Sequence, residues 1–135
     1  MKNFIITLLL ILTVNISYAN IEQANIQASQ LQITQPQNIA FENCSKMFAI
    51  NKEKLFYLTL SAITENKFSI DEIQSENGYI IFSAANNKYL ATIAGIEATN
   101  SILKITPCNN IYFFAPGILL NMFKYIEINL NTEIR

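Results

Sequence analysis

From Phe68 to Thr106 the chain reads FSIDEIQSENGYIIFSAANNKYLATIAGIEATNSILKIT, and this stretch decides the fold. Short runs of β-branched and aromatic residues alternate with turn-forming pairs, which is the pattern of consecutive antiparallel strands. The first run, Phe68 to Gln74, loses its alternation between Ile70 and Ile73, so a bulge is expected at Asp71 or Glu72. Asn77-Gly78 follows, a pair that tolerates positive φ and so marks a tight hairpin. The second run, Tyr79 to Ala85, turns at Asn86-Asn87 into a third, Lys88 to Ala94. A longer loop, Gly95 to Asn100, leads to a fourth, Ser101 to Thr106. There Pro107, lacking an amide donor, ends the ladder.

Outward from this meander, both flanks read as helix. Upstream, Ser45 to Ile50 forms a short strand that stops at Asn51, a good N-cap. Leu55, Leu58 and Ala62 then recur at three- and four-residue steps, giving an apolar helical face to about Asn66, itself suited to a left-handed cap. Downstream, Ala115-Pro116-Gly117 opens a helix in which Leu119, Met122, Phe123, Ile126 and Leu130 share one face. Asn121, Lys124 and Glu127 look outward. The run Ile111 to Leu120 is too short to span a bilayer and is expected to pack on the sheet. The order β-α-β-β-β-β-α predicts an α+β domain: an antiparallel four- to five-stranded sheet with two helices on one face.

The phrase Asn77-Gly78-Tyr79-Ile80-Ile81-Phe82, following an amphipathic helix and a strand, resembles the small helix-grip domains of bacterial envelope lipoproteins of the BamC type. The likeness covers about Ser45 to Leu130 and implies a periplasmic or surface domain that binds other envelope proteins. A cystatin-like order of strand, helix and strands also fits. The Gln-x-Val-x-Gly inhibitory loop of that family, however, is not found at Gln74 to Gly78.

The N-terminal region has a different character. Lys2, the greasy run Phe4 to Leu12 and the small residues around Ser17-Tyr18-Ala19 have the order of a cleavable secretory signal, residues 1–19, cut after Ala19. No lipobox cysteine follows it, so the mature chain is expected to be periplasmic or secreted, with no transmembrane span. Residues 20–43 are rich in Asn and Gln and read as a flexible leader, with a weak helix through Ile21, Ala24, Ala28 and Leu31 as the alternative. Residues 44–135 then form a single domain. Cys44, before the first strand, and Cys108, after the last, fall at the same end of the predicted sheet. Export permits a disulfide between them. Asn43-Cys44-Ser45 also fits a glycosylation acceptor, relevant only in a eukaryote.

Composition narrows the chemistry. Nine Lys and Arg against ten Asp and Glu leave no basic stripe for nucleic acid or anionic lipid. With no histidine, Ser-His-Asp and Cys-His nucleophiles cannot be built from this chain. Asp71 and Glu72, adjacent in a strand, are expected on opposite faces and so unable to flank one bond. Gly78, Gly95 and Gly117 stand alone in turns, with no phosphate loop and no sign of a cofactor or metal. The second strand is apolar on both faces, so Tyr79, Ile81 and Tyr89 are the expected partner or self-association surface, with the loop Gly95 to Asn100 as a second contact. The expectation is a non-enzymatic exported domain that binds an envelope protein or other envelope component. The alternative is a secreted inhibitor or effector acting on a host or competitor.

Overall fold

The computed structural model of the chain describes Gln23 and residues 33–133. The expected signal segment, its cleavage after Ala19 and most of the leader lie outside the described residues. Among the described residues lie seven strands and two long helices: β1 (Gln37–Asn38), β2 (Ser45–Phe48), α1 (Lys52–Glu65), β3 (Ser69–Gln74), β4 (Tyr79–Ala84), β5 (Asn87–Glu97), β6 (Asn100–Pro107), β7 (Phe113–Phe114) and α2 (Gly117–Ile128). A 3-10 turn at Phe41–Cys44 leads into β2. The fold is α+β, and its main sheet is antiparallel throughout in the order β2-β6-β5-β4-β3.

Local chemistry sets most boundaries. The Asn51 side chain accepts from the Lys54 amide at 2.8 Å and starts α1. At its end Asn66 keeps φ −78°, and Lys67, not Asn66, takes the left-handed conformation at φ 61°. The amides of Lys67 and Phe68 donate back to the carbonyls of Thr64 and Ile63, which satisfies the last turn and delivers Phe68 to the sheet. In β3 the register slips between Ile70 and Glu72, so Asp71 is the bulged residue. The β4–β5 turn is Ala85-Asn86, one residue before the expected pair, with φ values of 48° and 63°. It pairs Ala84 with Asn87 and Phe82 with Tyr89. The expected loop at Gly95 to Asn100 is instead a tight hairpin, because β5 continues to Glu97 and pairs there with Asn100 past an irregularity at Gly95.

Strand alternation builds the core. Ile80 and Phe82 of β4, Tyr89, Ala91 and Ile93 of β5, and Leu103 and Ile105 of β6 are buried on one face. Leu55, Ala62 and Ile63 of α1 and Leu119, Met122 and Ile126 of α2 close over the core. The α2 residues include three of those expected on its apolar face. Phe68 and Phe82 stack at 5.8 Å, Phe82 and Tyr89 at 5.5 Å, and Phe114 meets Tyr89 edge-on at 5.3 Å. This aromatic file joins β4, β5 and β7 to the connection that leads into β3.

Residues 37–43 of the expected leader are placed against the sheet. β1 pairs with β7 in the register Gln37 with Phe114 and Asn38 with Phe113, and the Ile39 amide donates to the Tyr112 carbonyl at 2.8 Å. The segment Ile111 to Leu120 accordingly divides between β7 and the start of α2. Among the described residues no helix is long and apolar enough to cross a membrane.

Candidate interaction surface

Both helices lie on one face of the sheet, and the register defines what stands on the other. One row crosses β2, β6 and β5 as Met47, Ile102 and Ala94. Another crosses β6, β5, β4 and β3 as Thr106, Leu90, Ile81 and Glu72. Between them runs Ser45, Lys104, Thr92, Tyr79 and Gln74. Met47 is 57% exposed and Ile96, beyond Ala94, is 52% exposed, so the apolar row is open at its margins. Ile81, Leu90 and Ile102 are half-buried by their neighbours within the sheet. Phe41 reaches this face: the Lys104 ammonium lies 4.1 Å from its ring centre, and Tyr112 meets it edge-on at 5.8 Å.

Tyr79 and Ile81 belong to this face, as expected, but Tyr89 does not. A two-residue turn sets Tyr89 opposite Phe82, whose side chain points to the helices, and Tyr89 is fully buried there. Its hydroxyl has no hydrogen-bond partner. Burial pushes the phenol pKa up from its ordinary value of 10.0, with the nearby Asn87 side chain, outside hydrogen-bonding geometry, acting in the opposite direction. Because an unpaired buried hydroxyl costs about 1–3 kcal/mol, Tyr89→Phe is expected to stabilise the fold by about 1 kcal/mol. The raised pKa adds a pH signature. The native contribution is whole below pH 10 and is lost as pH rises through the folded value, since the unfolded phenol releases its proton first. Urea midpoints measured between pH 8 and 11 should therefore fall more for wild type than for the variant. Parallel curves would show that Tyr89 does not carry the difference.

The carboxylates also depart from expectation. The bulge turns Asp71 and Glu72 to the same outer face, where Ser83 donates to Asp71 at 2.6 Å and the Tyr79 hydroxyl donates to Glu72 at 2.8 Å. The Lys88 ammonium stands 3.8 Å from Asp71, while Glu72 receives neutral donors, Tyr79 and the Gln74 amide. The hydrogen bond to Glu72 in turn raises the Tyr79 pKa. Strict alternation could not reveal this, but the broken spacing of Ile70 and Ile73 was its signal.

Cys44 and Cys108 are separate free thiols. The register puts Cys44 level with Ile105, three residues short of Cys108, which amounts to about 10 Å along a strand and exceeds disulfide reach. Parity separates them too, since Cys44 is buried in the core and Cys108 is exposed. Burial raises the Cys44 thiol pKa, with Lys104 pulling the other way. No group of three or more metal-ligating side chains is present among the described residues.

Clefts open beside the sheet. One, of about 380 Å³, lies between residues 37–46 and the start of α2, over Leu119, Leu120 and Phe123. Another, of about 420 Å³, is lined by Lys52, Glu53, Phe56, Tyr57, Ser75 and Glu76, where α1 meets the β3–β4 turn. Sequence reasoning had no route to either, because each joins segments distant in the chain. No protein-family model and no curated protein matches this chain.

Proposed function

We propose that the chain is an exported, non-enzymatic binding domain of the bacterial envelope that recognises an envelope protein through the outer face of its sheet. The observation that carries this reading is the pair of apolar groups Met47, Ile102, Ala94 and Ile96 on one side and Leu90 and Ile81 on the other of the row through Lys104, Thr92 and Tyr79, on a sheet face that neither described helix covers. A face open only to water usually alternates to polar residues. The basic, apolar and small residues in order over positions 1–19 support export. The likeness of the helix and glycine-centred hairpin to envelope lipoprotein domains supports the location.

The test is chemical cross-linking in intact cells of the native host, with the wild-type chain and the double variant Tyr79→Ala, Ile81→Ala expressed at equal levels. A cross-linked envelope protein present for wild type and reduced about tenfold for the variant supports the reading. Identical adducts for the two chains would sink it. Fractionation of the same cells that finds the chain free in the medium would point instead to the secreted inhibitor or effector.

A further inference from the structure

The edge strand β3 has an unusual combination of features. It is the last strand of the sheet, so among the described residues one side of its backbone has no strand beside it. Its helix-side residues, Ile70 opposite Phe82 and Ile73 opposite Ile80, continue the core face yet remain 39% and 49% exposed. The helical layer therefore stops short of the sheet edge. Helix α1 packs on β3 and presents Phe56 and Tyr57, the latter 45% exposed, to the cleft closed by Ser75 and Glu76 just past the strand end. On the opposite face the same strand carries Asp71 and Glu72, brought together by the bulge.

We propose that β3 accepts an extended protein segment as a sixth strand, one whose residues alternate between apolar and basic. Main-chain hydrogen bonds to the open edge would supply affinity, and alternate side chains would supply selectivity. Apolar residues of the added strand fall beside Ile70, Ile73 and Tyr57. Basic residues fall beside Glu72 and Asp71, with Glu76 and Glu53 at the end of the track. Lys52 lines the same cleft with the end of its side chain beside Gly78, and Lys88 already stands 3.8 Å from Asp71, so Glu72, which receives only neutral donors, is the carboxylate an incoming cation would pair with first.

Charge also decides against a second copy of this chain. An antiparallel pair of β3 strands sets carboxylates against carboxylates, which is destabilising. The other edge, β2, turns Met47 to the outer face where Glu72 calls for a cation, and its Lys46 is already held by Glu127. Head-to-tail pairing of β2 with β3 would moreover not close.

This inference rests on the proposed protein-binding role and specifies the mode and chemistry of the partner. The probe is a fluorescent eight-residue peptide of alternating lysine and valine, titrated into the purified full chain by anisotropy. Three comparison peptides accompany it: glutamate in place of lysine, the same residues in two blocks, and the alternating peptide N-methylated on every second amide along either edge. Expected are binding of the alternating basic peptide, at least about tenfold weaker binding of the acidic and block peptides, and a similar loss on methylation of one edge only. Asp71→Lys with Glu72→Lys should reverse the preference, with the urea midpoint confirming that the variant is folded. Equal binding of basic and acidic peptides, indifference to methylation at both edges, no binding at all, or a dimer joined through β3 in sedimentation would each overturn the proposal. The Tyr79 and Ile81 cross-linking test reads the outer face in cells, so it can fail while peptide binding persists, and the reverse.

Discussion

Replacing Phe82 with alanine is expected to lower the free energy of unfolding by about 3–5 kcal/mol, the range for truncating a fully buried phenylalanine. Phe82 has no exposed surface and stacks between Phe68 and Tyr89. Its removal takes away the transfer free energy of the ring and leaves a gap that a β-strand in mid-sheet cannot close. β4 is hydrogen-bonded on both sides, by β3 and by β5, so its backbone has little freedom to move inward. Against a total stability of about 5–15 kcal/mol for a domain this size, the loss is a large part of the whole. Urea unfolding followed by far-ultraviolet circular dichroism measures it. A shift under about 1 kcal/mol would mean that the aromatic file does not hold the sheet to its helices.

The second large effect is expected at Gly78, for a different reason. This residue has φ 70°, and a Cβ built on it would stand 2.6 Å from the Ile93 carbonyl oxygen and 2.9 Å from Lys52 Cε. The lysine stem can swing away, but the carbonyl belongs to β5, and the Ile93 amide also donates to the Gly78 carbonyl at 2.7 Å. Gly78→Ala therefore combines the left-handed penalty with displacement of backbone. A loss of at least about 2 kcal/mol is expected in the same assay. A neutral result would show that the hairpin relaxes without cost, and would remove the reason for glycine at this turn.

These two positions show what the sequence made legible. Asn77-Gly78 announced a hairpin, although only Gly78 takes positive φ and the loop is four residues, Ser75 to Gly78, rather than the tight pair expected, and the broken spacing of Ile70 and Ile73 announced the bulge. The turn after β4 was read one residue late, at Asn86-Asn87 instead of Ala85-Asn86, because alanine in the left-handed region carries no signature. Strand β1 was hidden, since two polar residues gain their conformation only from pairing with β7 across the domain. The candidate surface was half legible. Tyr79 and Ile81 were placed correctly from alternation within one strand, whereas Tyr89 required counting across a turn. The carboxylate pair could be joined only once the bulge was known to invert the local alternation. Neither the uncovered margin of β3 nor the cleft beside it has a local signal, because both arise from where a helix stops over a sheet.

The Ala85-Asn86 turn also limits how the chain can change in length. Side chains alternate with a period of two, so a two-residue connection keeps Tyr89, Ala91 and Ile93 beneath the helices. One codon inserted there, with the ladder otherwise kept, would turn Lys88, Leu90 and Thr92 inward and put Tyr89 in water. The neighbouring strand β6 takes its register from β5 and would inherit the error. The two-residue connection between β4 and β5 is thus a place where this fold has little tolerance for insertion or deletion.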